Sequence, residues 1–117
     1  MPNPQESPLF REACLVDGKW IQAADGRVSV VTDPADGGRV GQVPDLGQAE
    51  IEAAIAAADA AWRPWAAKAA PERAAVLERW HALVVANAAE VAALLTAEQG
   101  KPLAEAKGEI AYAASFI

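Results

Sequence analysis

The stretch EQGKPLAEAKGEI, residues 98–110, contains the residue types that come nearest to a reactive or ligand-binding site. A Gly-Lys pair after a helical pattern could belong to a phosphate-binding loop, which needs a glycine five residues earlier and a Ser or Thr after the lysine. Leu95 and Pro102 occupy those two positions. Proline also lacks a backbone N–H, so Gly100-Lys101 indicates the end of a helix rather than a phosphate site.

Two carboxylates of the same stretch, Glu105 and Glu109, lie four residues apart and therefore share one face of a helix. Such a pair could work as a general acid and a general base. No nucleophile and no metal-binding histidine lies nearby in the sequence, so a solvated helix face is the favoured interpretation of both glutamates.

Cys14 and His81 are the other residues whose side chains could act as a nucleophile or a base. A catalytic thiol needs an electropositive setting or a paired imidazole, whereas Cys14 lies in a strand-like apolar run, where cysteine is usually a small buried hydrophobe. His81 follows Trp80 on a predicted helix, which favours a surface or packing histidine. Neither residue is therefore predicted to be catalytic.

The four tryptophans could form an aromatic binding patch, but the spacing of three of them is typical of packing anchors: Trp20, Trp62 and Trp80. Trp65 follows the helix-breaking Pro64 and is expected near a surface or an interface.

Composition limits the classes of partner and the size of the core. The 117 residues fit one small domain or a piece of a larger one, and 53% of them are hydrophobic. Thirty residues are alanine, and 26 of these follow Gln48. Because the alanine side chain is small, each buries little apolar area, and the expected core is small. The net charge of -6 and the scattered basic residues argue against nucleic acid and an anionic membrane surface as partners. One cysteine, no signal peptide pattern and no membrane-length apolar run predict a cytoplasmic protein.

The first third of the chain reads as short strands separated by turns. Residues 1–8 contain three prolines and no periodicity, which predicts a mobile tail. Asp17-Gly18 stands between the apolar runs CLV and KWI and is typical of a hairpin turn. RVSVV and RVGQVP predict further strands on either side of the turn DPADGG, and the second should stop at Pro44.

From Gly47 onward, apolar residues recur every three or four positions, which predicts amphipathic helices. The first helix should end near Pro64 and bury the stripe Ile51, Ile55, Ala58 and Trp62. The second should begin at Pro71 and bury Val76, Leu77, Trp80, Leu83 and Val84.

A third and a fourth helix are predicted after a break. Asn87 and Glu90 resemble a capping box, which predicts a restart at Asn87, and Gly100 should end the helix that follows. The last helix should begin at Pro102 and keep Leu103, Ala106, Ile110, Ala113 and Ile117 on its inner face. Because this stripe is still in phase at Ile117, we expect the chain to be the front part of something longer.

Three stretches resemble the N-terminal segment of the NAD(P)-dependent aldehyde dehydrogenases. They are LFREACLVDGKWIQAADG, TDPADGGRVGQVP and ERAAVLERWHALVVANAAEVAALLTAEQGKPLAEAKGEIAYAASFI. The resemblance covers residues 9–117, with Asp33 where the family's turn more usually has Asn. EQGKPLAEAKGEI looks most like the succinate-semialdehyde dehydrogenase branch. The resemblance implies an α/β parent with a Rossmann-like cofactor domain, a catalytic domain and an oligomerisation element, which uses NAD or NADP to oxidise an aldehyde.

In that family the catalytic cysteine, the general-base glutamate, the oxyanion asparagine and the cofactor contacts belong to later segments. The resemblance therefore assigns no catalytic and no cofactor-binding residue to this chain, and Cys14 matches no catalytic position. We expect the chain alone to be inactive and to bind no cofactor. The resemblance also implies one candidate site for a monovalent cation, made by the backbone carbonyls of Val31 and Thr32 and the side chain of Glu109.

The expected fold is an α+β fragment with short N-terminal strands and hairpins followed by three to four packed helices, without the Rossmann core and the catalytic domain. Its expected divisions are a mobile tail at 1–8, an N-terminal β-strand region at 9–46 and a helical region at 47–117, which the resemblance assigns to an incomplete cofactor-binding domain. Its partners should be the remainder of the enzyme chain or further copies. Two alternatives stay open: a non-catalytic interaction chain with Leu103, Ile110 and Ile117 in its exposed apolar surface, and a small helical binding module unrelated to the enzymes.

Overall fold

The structure, a computed structural model, describes residues 4–117. It contains a short 3-10 helix, Pro4–Glu6, four strands and four helices. The strands are β1 (Cys14–Val16), β2 (Lys19–Ile21), β3 (Val28–Thr32) and β4 (Arg39–Pro44). The helices are α1 (Gln48–Ala66), α2 (Ala70–Ala86), α3 (Ala88–Gln99) and α4 (Leu103–Ala114). The expected α+β composition is confirmed. Residues 1–3 of the predicted tail lie outside the described residues, and mobility of the tail stays a prediction.

The strands form two separate antiparallel hairpins, β1 with β2 and β3 with β4. In the first hairpin, Asp17 and Gly18 both have positive φ angles, 50° and 70°, as a tight two-residue turn requires. In the second hairpin, Asp33 and Gly38 close the loop with the hydrogen bond from Asp33 N–H to the Gly38 carbonyl, at 2.8 Å. Both predicted hairpins are therefore confirmed.

The helix boundaries follow local signals closely. α1 runs two residues beyond Pro64, to Ala66, so the predicted end near that proline is confirmed. Pro71 lies in the first turn of α2, where the missing N–H costs nothing. The predicted break falls at Asn87, but its side chain makes no capping hydrogen bond and donates instead to the Leu83 carbonyl, at 2.8 Å. The break is correct and the capping box is wrong.

The core lies between α3 and α4 and is small. Ala92 and Ala106 are completely buried and Ile110 is 9% exposed. Their partly buried neighbours are Val84, Ala88, Val91, Leu95 and Leu103. Because alanines meet at the centre, the two helices approach closely but enclose little apolar volume.

The inner face of α4 was predicted only in part. Leu103, Ala106 and Ile110 pack inward as expected, but α4 ends at Ala114 and that residue, rather than Ala113, is buried. Residues 106, 110 and 114 follow a spacing of four, which places them on one face of α4. The interaction-chain alternative required Leu103, Ile110 and Ile117 to be exposed, and all three are at least partly covered.

The predicted inner stripes of α1 and α2 are wrong except at Val84, which packs against the core. Neither helix has a fully buried residue. The first hairpin, β1 with β2, faces α1 across a groove. On the α1 side this groove is lined by four alanines, called the alanine flank: Ala54, Ala57, Ala58 and Ala61. That arrangement leaves the large residues of the stripe uncovered, with Ile55 at 64% and Trp62 at 65% exposure. On α2, Trp80 and Leu83 are likewise 56% and 62% exposed. All four side chains are therefore exposed over more than half of their surface.

The tryptophans are corrected in the same way. Trp20, Trp62 and Trp80 were predicted to be packing anchors, and each is more than half exposed. The Arg11 guanidinium lies over the Trp20 ring, 5.6 Å from its centroid. Trp65, predicted near a surface or interface, is the most covered of the four. Spacing identifies residues that share a face, but a face is buried only where another element covers it.

Among the described residues, no single helix is long and apolar enough to cross a membrane. α2 and α3 reach the necessary length and composition only when taken together, across a bend of 67° at their junction.

Candidate functional site

The joint between α3 and α4, residues 98–103, is where the structure places the sequence's strongest site candidate. Gly100 ends α3 in the left-handed conformation, with φ 77°, and its N–H donates to the Thr96 carbonyl at 2.8 Å. α4 then begins immediately after Pro102. The predicted helix end is confirmed, and the backbone geometry is that of a cap rather than a phosphate cradle.

The joint is in contact with the loop of the second hairpin, which the sequence did not predict. A Cβ atom built on Gly100 would lie 2.7 Å from Cγ of Pro34. Gly100 is therefore required twice, once by its positive φ and once by the approach of Pro34. The separation of 66 residues hides this contact from any reading of local pattern, although both residue types were individually visible as turn signals.

Lys101, which lies in the joint, forms an ion pair with Glu109 of α4. The Lys101 Nζ donates to the Glu109 carboxylate, and both side chains keep part of their solvent exposure, 25% and 46%. Glu105 is exposed on the same helix. The lysine engages one of the two carboxylates for which a solvated helix face was favoured over an acid–base role, which is the arrangement of a structural ion pair.

The ion pair is expected to contribute little stability. Lys101→Met should lower the free energy of unfolding by less than about 1 kcal/mol, because water screens a partly exposed pair. Urea denaturation followed by circular dichroism measures the change, with Lys107→Met, at an exposed lysine of α4, as the control. A loss above about 2 kcal/mol relative to that control would contradict the assignment.

The residues of the candidate cation site lie on two elements, β3 and α4. Val31 and Thr32 lie at the end of β3, and the Glu109 carboxylate is bound to Lys101, whose ammonium would compete with a cation for it. Residues 4–117 include no group of three or more His, Cys, Asp or Glu side chains that could hold a metal ion. The monovalent-cation site at Val31, Thr32 and Glu109 stays a prediction.

Cys14 and His81 lie in different parts of the fold. Cys14 is a free, partly buried cysteine in β1. The His81 Nδ1 is 2.9 Å from the carbonyl oxygen of Ala114, which places the ring against the end of α4 as its hydrogen-bond donor. The histidine therefore joins α2 to α4, in agreement with a packing role.

A cluster around Arg27 was not recognised from the sequence. Its Nε is 2.7 Å from Asp25 Oδ2, its Nη1 is 3.3 Å from Asp45 Oδ2, and its backbone N–H donates to Asp25. That N–H, followed by the side chain of Arg27, lowers the pKa of Asp25, while the Ala24 N–H lowers the pKa of Glu50. Both carboxyls stay ionised in neutral solution, so they are unsuited to proton donation. Any stability they add is present above their ordinary pKa and is lost as the pH falls.

Comparison with protein-family models gives a match over most of the chain. The model described as the aldehyde dehydrogenase family matches residues 20–117. Among characterised proteins, the glutarate-semialdehyde dehydrogenase of Pseudomonas putida is 51% identical over 113 residues, which are 97% of this chain and 24% of that protein. The NADP-dependent succinate-semialdehyde dehydrogenase of Escherichia coli is 50% identical over 112 residues, which are 96% of this chain and 23% of that protein.

Solved structures agree with the sequence comparison. An aldehyde dehydrogenase from Brucella melitensis superposes with a TM-score of 0.92 at 54% identity, over 95% of this chain and 23% of that one. A succinate-semialdehyde dehydrogenase from Burkholderia pseudomallei superposes with a TM-score of 0.91, also at 54% identity, over the same shares of both chains. The chain spans about a quarter of the length of the relatives it matches.

Proposed function

Because this chain belongs to the aldehyde dehydrogenase family, we propose that it supplies the opening section of an enzyme that oxidises an aldehyde with NAD or NADP. The observation that carries the proposal is the superposition on the Brucella enzyme, with a TM-score of 0.92 at 54% identity. A match of that quality over 95% of the chain means that hairpins, joint and helices keep the arrangement found in a much longer protein.

The proposed substrate is a short semialdehyde, with succinate semialdehyde first and its conversion to succinate as the reaction. Relatives near half identity are named for glutarate semialdehyde and succinate semialdehyde. Both compounds carry an aldehyde at one end and a carboxylate at the other. The coenzyme is NAD or NADP, and the relative from Escherichia coli is named for NADP.

The role of the described residues in that reaction is structural. Aldehyde oxidation in this way requires a nucleophile, a base and a bound nicotinamide held in one geometry. Cys14 lies in β1, and the His81 ring is bound to the end of α4. The strands form two antiparallel hairpins rather than the parallel sheet on which dinucleotides bind. We therefore propose that catalysis and cofactor binding need the rest of the family fold, in the same chain or in an assembly.

The alternative of a non-catalytic interaction chain is not supported by the surface it named, because Leu103 and Ile110 of that surface pack in the core between α3 and α4.

A chimera tests the proposed function directly. Residues 5–117 would replace the matching segment of the Pseudomonas putida glutarate-semialdehyde dehydrogenase. We expect kcat/KM for succinate and glutarate semialdehydes to stay within about tenfold of the value for the unaltered enzyme. A tenfold change corresponds to roughly 1.4 kcal/mol in transition-state binding. Absorbance of the reduced nicotinamide measures both rates.

The matched control takes the same segment from the benzaldehyde dehydrogenase of Corynebacterium glutamicum, which is 28% identical to this chain. A chimera with this chain that is folded and oligomerised like the parent, yet more than about a hundredfold less active, would contradict the proposal.

A further inference from the structure

The segment before β1 contacts two elements, β4 and α3, which are also connected to each other through β3. The short 3-10 helix Pro4–Glu6 contacts both β4 and α3. Residues 5–12, called the strap below, precede residues 20–117, which the family model matches. The strap precedes those residues, but it lies largely within the 95% of the chain that superposes on the Brucella enzyme.

The strap covers the free edge of β4. Asp45 N–H donates to the Arg27 carbonyl at 3.0 Å, toward the neighbouring strand. Because backbone groups alternate in direction along a strand, Val43 and Gly41 also face β3, and Gln42 directs its groups away from it. Beyond Gly41 the pairing shifts by one residue, so that Thr32 pairs with Arg39. The Gln42 N–H, by this alternation, and the Val40 carbonyl, by its hydrogen bond to Gln5, lie at the outer edge of a two-stranded sheet, where a further strand could pair.

Two side chains of the strap occupy that edge. The Gln5 Nε2 donates to the Val40 carbonyl at 2.8 Å, and the Gln42 N–H donates to the Glu12 carboxylate at 2.8 Å. These bonds satisfy a carbonyl and an N–H that a third strand would otherwise take. The strap thus replaces a strand with side-chain hydrogen bonds.

Between the residues that accept and donate these two hydrogen bonds, the aromatic ring of Phe10 packs against Gly41. A Cβ atom built on Gly41 would lie 2.5 Å from Cζ of Phe10. The φ angle of Gly41 is not positive, since the positive-φ glycines of residues 4–117 are Gly18, Gly26, Gly37 and Gly100. The backbone therefore does not require glycine at position 41, whereas the ring of Phe10 does.

A third attachment reaches α3. The Ser7 hydroxyl donates to the carboxylate of Glu90, in the first turn of that helix. The strap is consequently fixed at both ends, to β4 through Gln5 and Glu12 and to α3 through Ser7.

We propose that residues 5–12 form a closing strap that seals the edge of β4 and fastens the second hairpin to α3, with the Phe10 ring on Gly41 as its seat. The strap opens and closes as a unit. When it opens, the Gln42 amide and the edge of β4 become available to solvent, while the amides that pair with β3 stay protected.

Hydrogen exchange on the full 117-residue chain, resolved by amide, tests the strap. Gly41→Ala places a methyl group where the ring sits, so we expect exchange at the Gln42 amide to rise roughly tenfold or more, with exchange at Val43 unchanged. Phe10→Ala removes the seat without adding a clash and should raise exchange at Gln42 in the same way. Gly108→Ala is the matched control, because a Cβ there meets no atom within 4 Å.

The double variant provides the decisive comparison. In the Phe10→Ala background, Gly41→Ala should change exchange at the Gln42 amide by less than about twofold, because the added methyl group then has no aromatic ring to clash with. Equal effects of Gly41→Ala in both backgrounds would overturn the proposal, as would unchanged exchange at Gln42 in Phe10→Ala. Loss of the far-UV circular dichroism signal in Gly41→Ala alone would leave the Phe10→Ala result to decide.

Discussion

The 117-residue chain by itself is expected to form no NADH or NADPH above the blank when it is supplied with succinate semialdehyde and either coenzyme. It covers 23 to 24% of the relatives it matches, and the described strands form two antiparallel hairpins instead of a dinucleotide-binding sheet. Proximity and orientation alone contribute several orders of magnitude to an enzymatic rate, and they require the reacting groups to be held together.

The assay compares the chain with the intact Pseudomonas putida relative at equal molar concentration and follows the absorbance of the reduced nicotinamide. Turnover by the chain that disappears in the Cys14→Ala variant would contradict the expectation, since it would place the nucleophile inside the described residues. Turnover that survives Cys14→Ala would point to a contaminating dehydrogenase, which repurification removes.

Gly100→Ala is expected to cause the largest loss of stability of any single methyl group added to this chain. The positive φ of 77° costs an L-residue about 1–2 kcal/mol. The added Cβ would also lie 2.7 Å from Cγ of Pro34, so the hairpin loop must move away from the joint. Together these effects should lower the free energy of unfolding by roughly 2 kcal/mol or more.

Urea denaturation measures that loss, and Pro34→Ala separates its two causes. With Pro34 shortened, Gly100→Ala should cost only the backbone strain of about 1–2 kcal/mol. Gly108→Ala serves as the control, because it lies inside α4 with open space around it and should be neutral or slightly stabilising. If Gly100→Ala lowers the free energy of unfolding by less than the backbone strain of about 1–2 kcal/mol, the described conformation of the joint would be contradicted.

Local elements of the fold were predictable because each depends on a few neighbouring residues. Asp17-Gly18 supplies the two positive φ angles of a hairpin turn, and Gly100 supplies one at the end of α3. Pro71 fits the first turn of α2, and the break at Asn87 falls where the helical pattern restarts. These features need no contact with a distant part of the chain.

Burial was predictable only where the covering element lies in this chain. Ile110 and Ala106 are covered by α3, as their spacing indicated. Ile55 and Trp62 share a face of α1 with the same regularity, but the first hairpin lies along the neighbouring alanine flank and leaves them exposed. The hydrophobic effect acts on area removed from water, so periodicity alone does not bury a residue.

The candidate site shows the same division. The sequence identified the glycine, lysine and glutamates of the joint and correctly favoured a helix end over a phosphate loop. It did not reveal that Pro34 rests on Gly100, that Lys101 holds Glu109, or that Phe10 rests on Gly41. Each of these contacts joins residues whose separation exceeds one helical turn, so no local period encodes it.

The sequence by itself determined the strands and helices, the helix end at Gly100 and the resemblance that the family match bears out, because turn chemistry, capping and motif identity are properties of short stretches. Only the tertiary structure decided which apolar faces are covered and which charged groups are paired. It also decided how residues 5–12 close the edge of β4. Those outcomes depend on distances between elements, and the elements are positioned by packing and by chain connectivity rather than by local pattern.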